Sequence, residues 1–345
     1  MIPTLIVGNH LSASGDTPKV CEELACRLDL AGWPVMTSSH KPNPVARLAD
    51  MLTTAWGRRE SYEVAQVDVY SGRAFLWAEA ITQTLQRCHR PYVLTLHGGA
   101  LPDLVRTQPG RVRRLLTGAA AVTAPSRYLS AAVAPIRQGT KVIPNAIDLP
   151  RYPFRVRSNP APRLIWLRAF HEIYNSILAV ETLALLKREI PKLELAMIGP
   201  DRGDGSLKRT RSRSRELRLS GAVEFGGRTP KEQVPTALDQ ADVFVNTSFV
   251  DNTPVSVIEA MACGLCVVST NVGGVPDLID DGVNGLLVPP GNPTAMASAI
   301  RRLYYEPGLA ARLSVNARQA VEQFDWSLVL PVWQKLFTKT VGLNR

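Results

Sequence analysis

Residues 246–274, NTSFVDNTPVSVIEAMACGLCVVSTNVGG, decide the fold of this chain. Thr253 is a good helix N-cap, and Pro254 suits the first helical position, where its missing N–H costs nothing. Residues 255–263 are helix-compatible, and Gly264 marks a left-handed stop. A β-branched strand over 266–270 follows at once, then Gly273 and Gly274. Upstream, 242–246 reads as another buried strand. Strand, loop, buried helix, strand and glycine loop form one unit of a doubly wound α/β sheet. In such sheets ligands sit beyond the carboxyl ends of the strands.

Glu259 sets this helix apart from a plain core element. Its same-face neighbours Val255, Ser256, Ala262 and Cys263 include no Lys or Arg, so an ionised carboxylate here needs partners from elsewhere. Hydroxyls of a ribose or sugar would serve. Asp251 lies just ahead of the helix, and the free amides of residues 253–256 suit a phosphate. Two carboxylates for hydroxyls around an amide cradle describe a nucleotide-sugar site. The alternative reading is that Asp251 only caps the helix and Glu259 pairs with a distant arginine.

The composition is that of an ordinary globular chain: 345 residues, 45% hydrophobic and 20% charged, enough for two domains with their own cores. No apolar run approaches the roughly 20 residues of a membrane span, and the N-terminus reads as a first strand rather than a signal peptide. Five cysteines without a framework fit a reducing, cytoplasmic setting. Cys263 and Cys266 straddle a helix stop and a strand, so they read as buried small hydrophobes rather than a zinc site. The net charge of +10 favours anionic partners. Its densest run, KRTRSRSRELR at 208–218, has no interleaved aromatics, which speaks against nucleic acid. That run reads as a solvated helix face or loop, with adsorption to anionic lipid at the inner membrane face as the sharper alternative.

The first half alternates strand patterns (5–7, 35–39, 67–70, 92–96, 120–124, 141–143) with helix-period segments (20–30, 45–55, 74–87, 105–116, 127–133). That order implies a mainly parallel sheet covered on both faces. Two of its loops are placed to meet a ligand: 8–16, which lacks a full GxGxxG, and His97–Gly98–Gly99 after the apolar YVLTL. A Pro- and Arg-rich linker, 149–162, leads to strands at 164–167, 193–198 and 223–225, helices at 176–188, 293–305 and 309–322, and a last helix over 325–336.

Asp251-x7-Glu259, followed by AMACGLCVVSTNVGGVPDLI and later DGVNGLLVPPGN, resembles the signature block of family 4 retaining glycosyltransferases. The usual block carries Glu at both ends; here the first is Asp251. The resemblance implies the GT-B fold, two Rossmann-like doubly wound parallel-sheet domains facing a cleft. The domains would be 1–152, with a C-terminal helix at 325–345 packing back on it, and 153–324. It further implies that Arg168 binds the donor diphosphate and that Asp251 and Asn252 hold sugar hydroxyls. Thr253, Pro254 and Val255 would line the phosphate cradle, Glu259 would take the ribose, and Arg228 would mark the turn beside the base. His97 would touch the transferred sugar, and Gly15 would lie near donor and acceptor. The family's usual lysine about six residues after the arginine is replaced by Tyr174, so one cation is lost.

The expected function is a hexosyltransferase-type transfer from a nucleotide-diphosphate-sugar to a glycan, lipid-linked or small-molecule acceptor, with retention at the anomeric carbon. His97, Arg168 and Asp251 would carry the catalysis, with no cofactor and no obligatory metal. The alternatives are a catalytically silent homologue acting as a binding partner, a sugar-nucleotide epimerase, and a nicotinamide-dependent dehydrogenase, the last disfavoured by the missing glycine fingerprint.

Overall fold

The apolar runs of the first half become six strands: β1 (Thr4–Val7), β2 (Val35–Ser38), β3 (Val64–Val69), β4 (Tyr92–Leu96), β5 (Ala121–Ala124) and β6 (Lys141–Val142). They pair in parallel in the order β2-β1-β3-β4-β5-β6. The connecting helices are α1 (Val20–Leu30), α2 (Pro44–Gly57), α3 (Arg73–Arg87), α4 (Leu101–Thr107), α5 (Pro109–Thr117) and α6 (Arg127–Val133). The single helix expected over 105–116 is two helices, because Pro109 has no N–H to continue the first and Gln108 adopts φ −135°, ψ 54°. The structure, a computed structural model, describes residues 1–14 and 18–342.

A second parallel sheet follows, built from β7 (Arg163–Leu167), β8 (Glu194–Ile198), β9 (Val223–Gly227), β10 (Val243–Asn246), β11 (Cys266–Thr270) and β12 (Leu286–Val288), in the order β12-β11-β10-β7-β8-β9. Its helices are α7 (Ser176–Leu186), α8 (Ser206–Glu216), α9 (Val234–Asp239), α10 (Val255–Ala262), α11 (Pro293–Tyr305) and α12 (Leu309–Val321). The three-residue β12 had no sequence signal, being too short to show a period. The basic run folds largely as α8. There Arg213 pairs with Glu181 and Glu216, and the Arg211 guanidinium lies over the Phe225 ring.

Each sheet has its own core, and the chain divides into Met1–Ala146 with Trp326–Arg345, and Ile147–Asp325. The closing helix, α13 (Trp326–Gly342), extends beyond the expected 336; its Trp326, Val329, Trp333 and Phe337 pack with Ile6, Leu24, Leu28 and Trp33. The expected boundary after residue 152 moves forward to 146. Ile147, Leu149 and Tyr152 are buried in the second unit's core, and the Leu149 N–H donates to Asp325 at 2.9 Å. The linker expected at 149–162 is likewise part of the second unit. Arg157 is fully buried there and pairs with Asp239 and Asp242, while Arg155 pairs with the same two acids.

Candidate functional site

In the second sheet the chain order reverses between β7 and β10, and a doubly wound sheet opens its crevice at such a switch point. Arg168 follows β7 directly, while Ser248 and Asp251 lie on the loop after β10. The Arg168 guanidinium donates to Asp251 Oδ2. The same oxygen accepts from Ser248 Oγ at 2.9 Å, and Oδ1 accepts the Asn252 N–H at 3.0 Å. On its other side the guanidinium lies over the Tyr174 ring, 4.2 Å from the centroid. Thr247 Oγ1 anchors the tyrosine's segment by donating to the Tyr174 carbonyl at 2.7 Å, and itself accepts from Trp166 Nε1 at 2.8 Å. Gly199 allows this packing, because a Cβ there would sit 1.7 Å from the Arg168 carbonyl oxygen. Burial works against the charge on Arg168, but Asp251 and Tyr174 beside it raise its pKa.

The signature helix α10 is buried along Ser256–Ala262, and Gly264 stops it at φ +73°. It starts one residue later than the sequence indicates. Pro254, extended at φ −66°, ψ 113°, takes the N-cap place, and Thr253 lies outside the helix. Proline's fixed φ is kept, but its ψ turns the chain into the helix only at Val255. Ser256 Oγ, at this N-terminus, is buried and has no hydrogen-bond partner among the described residues.

Glu259 is 6% exposed, and among the described residues no arginine hydrogen-bonds it. The Tyr152 hydroxyl donates to its Oε1 at 2.7 Å. Burial raises the Glu259 pKa, and Lys231, the Tyr152 bond and Arg168 pull it partly back. The isolated acid expected from the helix face is therefore an acid satisfied by a phenol from the start of the second unit. Asn252 is backed by the glycine pair: a Cβ on Gly274 would lie 2.4 Å from the Asn252 carbonyl oxygen.

Arg168, Tyr174, Asp251 and Asn252 thus form one bonded cluster. The carboxylate expected to hold sugar hydroxyls is instead engaged by Arg168, Ser248 and the Asn252 amide. Arg228 is exposed just beyond β9 and makes none of these contacts. Gly15 lies outside the described residues. Tyr152, Ser248 and Lys231 were missed by sequence reasoning. Ser248, three residues before Asp251, had a local signal; Tyr152 stands 107 positions from Glu259 and had none.

In the first unit the order reverses between β1 and β3. His97, just past β4, is buried; its Nε2 meets Asp68 Oδ1 at 3.0 Å, and the Tyr70 ring stacks on it with centroids 5.1 Å apart. Among the described residues no group of His, Cys, Asp and Glu is assembled to hold a metal ion.

With this geometry in place, the comparisons are consistent. Residues 158–320, all within the second unit, match the model of the family described as glycosyl transferases group 1. The chain is 32% identical over 153 residues to a D-inositol 3-phosphate glycosyltransferase of Streptomyces bingchenggensis, covering 43% of this chain and 34% of that protein. It therefore spans about a third of the length of this curated relative. Among solved structures, sucrose-phosphate synthase from Thermosynechococcus elongatus is similar over 99% of this chain and 100% of that one, with TM-score 0.83 at 20% identity. Anabaena Alr3699/HepE in complex with UDP and glucose is similar over 98% and 100%, with TM-score 0.79 at 18% identity. The fold is that of the GT-B class, two Rossmann-like units in one chain.

Proposed function

We propose that the chain is a glycosyltransferase that moves a sugar from a nucleotide-diphosphate donor to a hydroxyl acceptor with retention. The observation that carries this reading is the second unit's switch point. There a half-buried arginine, a serine hydroxyl at a helix N-terminus with no partner among the described residues, and a phenol-bonded glutamate stand on neighbouring segments. The HepE structure is a complex with UDP and glucose, which supports a donor of this chemistry. Arg168 and the α10 amides stabilise charge on the leaving diphosphate, a preorganised electrostatic effect. In the second unit Asn252 meets sugar hydroxyls and Glu259 the ribose; in the first unit His97 is a sugar contact. Asp251 serves the sugar only once the diphosphate has drawn Arg168 from it.

The test is a thermal-shift panel of nucleotide sugars on wild type and Glu259→Ala. A shift seen only with wild type is expected, and no shift with any donor refutes the reading. Turnover should persist in excess chelator, since arginine and amides supply the electrophilic role; complete loss there would reverse the metal-free assignment.

A second reading, a silent homologue that binds a partner, is favoured by one observation. Arg168 is already neutralised by Asp251 and covered by Tyr174. Donor hydrolysis or transfer at a measurable rate would dismiss it.

Contact with an anionic membrane is part of the same proposal, and the charge distribution supports the first unit as its site. Residues 1–146 and 326–345 hold 19 Lys and Arg against 10 Asp and Glu, whereas 147–325 hold 21 against 20. Residues 104–147 contain no acid, and Arg113, Arg114, Arg127 and Lys141 are exposed there. Sedimentation with phosphatidylglycerol vesicles should be lost in Arg113→Glu with Arg114→Glu; unchanged sedimentation would move the contact elsewhere.

A further inference from the structure

Asp68 is a buried carboxylate to which neither the sequence pattern nor the proposed chemistry gives a task. It lies on β3, and the parallel register sets it opposite Thr95, two residues before His97. The His97 N–H continues the ladder by donating to the Val69 carbonyl at 2.7 Å, which fixes the backbone from which the imidazole projects.

Four groups then converge on Asp68. His97 Nε2 reaches Oδ1 at 3.0 Å, and Gln66 Nε2 donates to the same oxygen at 2.8 Å. The Tyr70 hydroxyl points to Oδ2 at 3.5 Å, and the Cys21 thiol also hydrogen-bonds this carboxyl. Gln66 is itself held by Thr95 at 2.8 Å, and Thr95 by Thr123 at 3.1 Å, so a polar row crosses β3, β4 and β5 beneath the histidine. Burial opposes charge on Asp68, yet His97, Gln66 and Cys21 keep its pKa below the ordinary value.

An ionised carboxylate only accepts hydrogen bonds, so the nitrogen facing it must carry the hydrogen. The Tyr70 ring, 21° from parallel with the imidazole, limits ring rotation. Nδ1 is the nitrogen that remains, and among the described residues no protein group bonds it.

We propose that Asp68 is the positioning residue for His97: it holds the imidazole as the Nε2–H tautomer and presents the Nδ1 lone pair to a hydroxyl of the bound sugar. This rests on the reading of His97 as a sugar contact given above. An Asp that fixes tautomer and ring orientation without itself exchanging a proton acts through the histidine alone. A purely structural Asp68 would share this network and this tautomer, but its loss would not act on kcat through His97.

The experiment uses the full chain labelled with nitrogen-15 histidine and long-range proton–nitrogen spectra at a pH where the rings are neutral. His97 is assigned by its disappearance in His97→Gln. The wild-type ring should be the Nε2–H tautomer, and Asp68→Asn should shift it to a mixture or to Nδ1–H. A wild-type ring in the Nδ1–H form overturns the proposal, whether or not the variant folds. With a working donor and acceptor, Asp68→Asn should lower kcat at least about tenfold with the donor KM within about twofold. Added to His97→Gln, it should cost no more than a further twofold or so, because both act through one imidazole; multiplicative losses overturn the proposal. The spectra need no turnover. A wild type without any transfer would end the functional reading, while the tautomer still decides whether Asp68 sets the state of the His97 ring.

Discussion

The two units repeat one arrangement with different chemistry. In the first, His97 is held between the Asp68 carboxylate and the stacked Tyr70 ring. In the second, Arg168 is held between the Asp251 carboxylate and the Tyr174 ring. Each clamp stands near its sheet's switch point, at the carboxyl ends of the strands. The difference lies in what surrounds the acid. Asp68 has a row of buried polar partners. Asp251 sits on a loop and is tied to Arg168, the cation for which the proposed donor diphosphate would compete. On the roles proposed above, the first clamp orients a ring and the second exchanges its partner.

If that contrast holds, Arg168→Ala should cause the largest loss in donor turnover, about 100-fold or more, since it removes the cation proposed to meet the diphosphate. Tyr174→Phe should change turnover by less than about threefold, because the ring face over Arg168 is retained. Steady-state kinetics on both variants decides; equal, mild effects would dissolve the second clamp as a catalytic device.

Next in size is stability. Asp251→Asn leaves a largely buried guanidinium without its counter-charge and should cost about 3 kcal/mol in urea unfolding. A diphosphate ligand should recover more stability in this variant than in wild type, because it replaces the missing anion. Equal ligand-induced gains would show that Asp251 and the ligand do not compete for Arg168.

The smallest effect concerns Glu259. Its folded-state pKa is raised above the unfolded value of about 4.3, so the folded chain binds this proton more tightly than the unfolded one does. Stability is therefore fully present below that value and falls as pH rises through the folded pKa. Gln carries no such slope and can still accept from Tyr152. Glu259→Gln should melt at or slightly above the wild-type temperature at pH 7, and it should lose the donor-induced shift. A variant melting more than about 4 °C lower would mean that the carboxylate is structural.

The sequence by itself determined the two parallel sheets and the buried signature helix. Strand runs, helix periods and glycine stops are local patterns, and each is set by residues a few positions apart. Arg168, Tyr174, Asp251 and Glu259 were likewise legible as candidates, since motif spacing is linear. Their partners were not. Tyr152 reaches Glu259 across 107 positions, Arg168 reaches Asp251 across 83, and Asp68 reaches His97 across 29. Only the tertiary structure decided that Asp251 faces an arginine, that Tyr174 covers that arginine, and that residues 147–162 belong to the second unit. The physical reason is burial: whether an acid is free or engaged depends on which distant segment desolvates it and supplies the donor. No local pattern in the chain encodes that choice.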